Sequence, residues 1–111
     1  MSTSLVYAIK YVADMDAAVA FFREHLRLKV RFSSPYWSEF DTGPTTLALH
    51  PASPEHPAGS CQLGFRVADV QAFHAEQSAL GVAFTSAPTL LHGQTIARFR
   101  DSEGAECSVS G

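Results

Sequence analysis

Glu39 and His50 are two side chains of this sequence that could form an acid–base pair. They lie in two alternating, strand-like stretches joined by a turn at Gly43-Pro44. With an even hairpin loop, Glu39 stands opposite Ala48 and Trp37 opposite His50, all on one face. A carboxylate beside an imidazole orients it and raises its basicity, which is the equipment of general acid–base catalysis. At a strand end, a histidine such as His50 is more often a solvated rim residue. Arg98 could hold an anion, or simply pair with Glu106 at the surface. The other histidines, His25, His56, His74 and His92, fall on helix surfaces or loops, where solvation is expected. Cys61 and Cys107 lack CxxC spacing and read as small buried residues of a reducing compartment, with a disulfide or a zinc site as the alternatives.

The elements that must position these residues belong to a small globular chain. Its 111 residues leave room for a single domain with one core. At 46% hydrophobic and 17% charged residues, the composition is that of an ordinary globular protein and gives no sign of a disordered, collagen-like or coiled-coil one. No apolar run approaches the roughly 20 residues that cross a bilayer. The start, Met1 to Leu5, lacks the basic and apolar stretches of a signal peptide, which points to a cytoplasmic protein with no membrane partner. A net charge of −3 without a basic run argues against nucleic acid, whose binding requires many phosphates to be neutralised.

The organising feature is an internal repeat. Val12-Ala13-Asp14 recurs as Val67-Ala68-Asp69. Each copy follows an alternating stretch, Leu5 to Tyr11 or Cys61 to Arg66, and precedes a helix-like one. Met15, Val19, Phe22 and Leu26 form an apolar stripe in the first, and Val70, Phe73 and Leu80 a weaker one in the second. Asp14 and Asp69 sit where a carboxylate caps the first turn. Gly81 suits the left-handed residue that ends a helix, whereas Arg27 holds the same place without glycine's freedom. Three strands follow in each copy: Leu28 to Phe32, Tyr36 to Asp41 and Thr45 to His50, then Val82 to Thr85, Thr95 to Arg100 and Ala105 to Ser110. Tyr36 and Phe40 are assigned to packing. The expectation is an α+β fold of two βαβββ modules in tandem, about 4–52 and 61–111, joined by a linker at 53–60 within a single domain.

Three segments carry a resemblance. They are Tyr11-Val12-Ala13-Asp14-Met15-Asp16-Ala17-Ala18-Val19-Ala20-Phe21-Phe22, Leu63-Gly64-Phe65-Arg66-Val67-Ala68-Asp69 and Phe99-Arg100-Asp101-Ser102-Glu103-Gly104. In this order the chain resembles the vicinal-oxygen-chelate superfamily of glyoxalases, bleomycin-resistance proteins and extradiol dioxygenases, with Ser102 in place of a usual proline. The resemblance implies two curled sheets forming a cleft for a small molecule. In many members a divalent metal is held there by the first and last strands of each module. The corresponding positions are Tyr7 and Ala48, then Gln62 and Ser108. Alanine cannot ligate, serine and neutral tyrosine ligate poorly, and only Gln62 could remain a ligand. No cofactor is therefore expected, and a divalent metal could enter only at a non-standard site.

With those positions facing the cleft, alternation brings Ile9 and Tyr11 in beside Tyr7, and Thr46 and His50 beside Ala48, while Leu47 and Leu49 turn to the helix. In module two, Glu106, Ser108, Ser110 and Arg98 face the cleft, and Ala97, Phe99, Cys107 and Val109 face the core. The expected site has Tyr7, Tyr11 and Trp37 as walls, with Glu39, His50, Gln62, Arg98 and Ser108 as its polar groups. The leading functional expectation is a metal-free small-molecule-binding protein. The alternatives are a lyase or dioxygenase-like enzyme with a relocated metal site or a His50/Glu39 acid–base pair, and a scaffold with a vestigial cleft. Open sheet edges, and the pairing common in compact relatives, lead us to expect a homodimer.

Overall fold

A computed structural model describes residues 2–111. The elements run β1 (Ser4–Val12), α1 (Met15–Glu24), β2 (Lys29–Ser33), β3 (Ser38–Asp41) and β4 (Thr46–Pro51), then β5 (Cys61–Arg66), α2 (Val70–Ala79), β6 (Phe84–Leu91), β7 (Gln94–Arg100) and β8 (Glu106–Ser110). This is the βαβββ pattern twice. By its internal contacts the chain divides into Val6–Cys61 and Gln62–Gly111, the latter joined by the chain start up to Leu5.

Each module builds the same sheet. In module one the order is β2-β3-β4-β1, and in module two β5-β8-β7-β6. The first strand pairs with the last in parallel, Ile9 beside Ala48 and Gly64 beside Ser108, and the remaining pairings are antiparallel. A parallel pair needs a long crossover, here the helix and two strands between. Glu39 stands opposite Ala48, which confirms the even hairpin.

Alternation along β4 separates two faces. Leu49 is buried toward α1 with Val19 and Phe40, and Met15, Phe22, Leu28 and Leu47 close that layer. Ala48 points the other way, into a layer with Ile9 and Tyr11. In module two, Val67, Val70, Ala97 and Val109 form the core with Phe65, Phe73, Phe84 and Phe99 around it.

The helices start as their sequences dictate. Ala17 N and Ala72 N donate to Asp14 Oδ1 and Asp69 Oδ1, each at 3.0 Å. Both ends turn left-handed, at Gly81 with φ +95° and at Arg27 with φ +55°. Arg27 thus adopts the conformation that glycine holds for free in the second copy.

Several local expectations are corrected. The first helix stops at Glu24, which leaves Leu26 outside the apolar stripe at 55% exposure, and Leu80 is likewise exposed. Tyr36 is not a packing residue, because Ser34 folds Tyr36-Trp37 into a tight turn by accepting from both backbone amides and leaves the ring in solvent. Cys61 is exposed, and only Cys107 is buried. Strand β6 runs to Leu91, well beyond Thr85. Its Pro88 is tolerated because β6 ends its sheet, where a missing N–H breaks no ladder. His92 and Gly93, both at positive φ, make the two-residue turn into β7.

Candidate functional site

On the face of module one away from α1, aromatic side chains form a continuous series. Tyr7 and Trp37 meet edge to face at 5.8 Å between ring centroids, Trp37 and His50 at 6.2 Å, and Tyr11 and His50 at 5.3 Å. Beyond them His56 stacks on Tyr11, with centroids 4.4 Å apart and planes 11° from parallel. The strand pairing creates this series directly. Tyr11 lies beside His50 across the parallel β1–β4 pair, and Tyr7 lies beside Thr46. Tyr7, Trp37 and His56 are half-buried and His50 is exposed, so rings remain within reach of a ligand.

Glu39 holds this wall and does not serve His50. Its Oε2 accepts from Trp37 Nε1 at 2.7 Å, while Arg31 Nη1 lies 3.5 Å from Oε1. Arg31 also donates to Thr46 Oγ1 at 2.9 Å and approaches Asp41. His50 instead has Nδ1 2.8 Å from the carbonyl oxygen of Pro51. A carbonyl can only accept, so this contact places a proton on Nδ1 and leaves Nε2 as the nitrogen that can accept. The expected His50–Glu39 hydrogen bond is absent among the described residues. The two side chains share a face but are not joined.

In module two the buried Gln62 donates through Nε2 to Glu106 Oε1 at 3.3 Å, and Thr85 donates to Glu106 Oε2 at 2.6 Å. Arg98 lies opposite Ser108 in the β7–β8 ladder and is exposed. It makes no ion pair among the described residues, so the expected surface alternative, a pair with Glu106, does not form.

The donor set does not suit a divalent metal. In module one the two family positions offer a phenol and a methyl group, and the methyl of Ala48 is fully buried. In module two they offer a serine and an amide whose nitrogen faces a carboxylate. Among the described residues no group of three or more His, Cys, Asp or Glu converges as a metal cluster would require.

Residues 4–108 match the model of the Glyoxalase/Bleomycin resistance protein/Dioxygenase superfamily. The chain belongs to that superfamily. Solved structures agree in fold. A hypothetical protein from Bacillus halodurans C-125 superposes with a TM-score of 0.84 at 14% identity, over 99% of this chain and 94% of the other. A variant of methylmalonyl-CoA epimerase from Streptomyces coelicolor, in complex with 2-nitronate-propionyl-CoA, gives 0.77 at 21% identity over 96% and 94%. A superfamily member from Vibrio splendidus 12B01 gives 0.67 at 15% over 98% and 97%. At such identities the likeness establishes the fold alone. No curated protein matches the chain.

Two residues of this superfamily member's wall escaped the sequence reading. Arg31 could have been found by extending the alternation logic one strand outward. His56 sits in the linker, where no periodicity exists to place it.

Proposed function

We propose that the protein is a small-molecule-binding member of its superfamily, which holds a planar aromatic or amphiphilic ligand against Tyr7, Trp37 and His50, without a metal ion. Tyr11, expected in the wall, is buried behind it under His56 and supports these rings from within. The observation that carries this reading is the run of ring contacts from Tyr7 to His56. Each further aromatic stack contributes about 0.5–1.5 kcal/mol beyond burial, and a rigid wall loses little freedom on binding. The Glu39 carboxylate fixes the plane of Trp37, and His50 Nε2 is the polar group that orients the ligand. A binding role is favoured over an acid–base one because the Glu39 oxygens go to Trp37 and Arg31. The assembly we propose is a homodimer. The outer strands β2 and β6 carry exposed Phe32, Leu90 and Leu91, and such edges are usually covered. Among the described residues no helix is long and apolar enough to cross a membrane.

Trp37 is the sole tryptophan, so its emission reports on this face alone. Titration with a panel of planar aromatic amphiphiles is expected to shift that emission, and Trp37→Ala, titrated by calorimetry, to bind the same ligands tenfold or more weakly. Ligands that bind without changing the emission and survive Trp37→Ala would remove the reading. Stoichiometric zinc, nickel or iron in untagged, dialysed protein would remove its metal-free part.

A further inference from the structure

We propose that module two has a second binding site, on its helix side, for a small apolar molecule carrying one positive charge, of the arylalkylamine class. A cavity of about 220 Å³ opens there, lined by Leu63, Phe65, Phe73, Phe99 and Cys107, with Asp101 and Thr3 as its polar boundary. An enclosed apolar cavity of roughly 150 Å³ is enough to admit benzene. This one, open to solvent past the half-exposed Leu63, has the volume for a ring and a short chain whose end stays in water. The rings are grouped, Phe99 lying 5.7 Å from Phe73 and 6.4 Å from Phe65 between centroids. Aromatic faces attract an ammonium group, and apolar walls weaken the competition from water.

The charge preference comes from Asp101. Its Oδ1 accepts from Glu103 N at 2.8 Å and from Ala105 N at 3.0 Å, so the β7–β8 turn holds the carboxylate at the cavity wall. No cation pairs with it among the described residues. The negative field reaches inside. The Cys107 thiol is pushed up first by burial and then by the charges of Asp101 and Glu106, and so stays neutral. A neutral thiol, three rings and one fixed carboxylate favour an amine over a carboxylate of equal size.

Calorimetric titration of the whole protein with benzylamine, benzoate and toluene near pH 7 tests this. The expected result is one saturable benzylamine site, with benzoate weaker by at least about tenfold and toluene between them. Asp101→Asn keeps the oxygen that serves the turn and should lower benzylamine to toluene's level. Leu63→Trp, at a position 41% exposed, should fill the cavity and abolish binding. Protection of Cys107 from iodoacetamide by benzylamine, in a Cys61→Ser background, reads the same site without altering its walls. Trp37 emission should not change, which separates this site from the aromatic face of module one. Benzoate binding as tightly as benzylamine, the absence of saturable binding, or benzylamine binding that neither protects Cys107 nor weakens in Leu63→Trp would each overturn the proposal.

Discussion

Removing the Glu39 carboxylate tests whether it is a clamp for the aromatic wall. The hydrogen bond from Trp37 Nε1 spans 2.7 Å and ends on a carboxylate whose side chain is only 18% exposed. Hydrogen bonds to charged groups contribute about 1.5–3 kcal/mol, and partial exposure places this one at the lower end. The Arg31 pair, at 3.5 Å and with Arg31 44% exposed, adds little, about 0–1 kcal/mol. Glu39→Ala should therefore cost about 2 kcal/mol, lowering Tm by roughly 6–12 °C in a chain of this size. The decisive measurement is a pair of double-mutant cycles in urea, followed by far-UV circular dichroism because one variant lacks the tryptophan. Glu39→Ala with Trp37→Phe should show coupling of about 1–2 kcal/mol, and Glu39→Ala with His50→Ala less than about 0.5 kcal/mol. The reverse order of couplings would refute the clamp and restore the acid–base pair.

Arg27→Gly should stabilise the protein by about 0.5–1 kcal/mol in chemical denaturation, because the backbone is already left-handed there. Asp14→Ala and Asp69→Ala should each destabilise by about 1 kcal/mol in the same assay, as each removes a cap. Light scattering at micromolar concentration should give twice the 12.0 kDa chain mass, and a value near one chain would exclude the homodimer. With iodoacetamide at pH 8, Cys61 should react well before Cys107. The raised Cys107 pKa keeps its thiolate fraction below that of an ordinary thiol, so its reaction should gain only as pH rises further, which peptide mapping against pH would show.

Much of the fold was legible because both modules obey local rules. The recurring Val-Ala-Asp segment marks a strand that ends in a helix cap, and alternation at Leu47-Ala48-Leu49 sorts two faces from three residues. The even turn at Gly43-Pro44 then set the partner of Glu39. Side-chain direction beyond Cβ was not legible. Register puts Glu39 and His50 on one face, but the choice between His50 and Trp37 Nε1 as partner depends on rotamers. The length of β6 was hidden by Pro88, which reads as a breaker unless the strand is known to lie at an edge. His56 and the cavity beside Phe99 arise from tertiary packing, which spacing does not encode.

The parallel pairing of first and last strands sets an order of events during synthesis. Tyr7 finds its neighbour only when Thr46 has emerged, and Gly64 only when Ser108 has. At about 5–20 residues per second, the ribosome takes seconds to deliver the intervening chain. Hairpins such as β2–β3, which precede the closing strand, close in roughly 1–10 μs. Each nascent module therefore holds its first antiparallel pair, β2–β3 or β6–β7, ready while its opening strand, with its apolar side chains, waits for the closing one. That interval, incurred twice per chain, is when a chaperone or a neighbouring nascent chain has access to Val6, Ile9 and Tyr11.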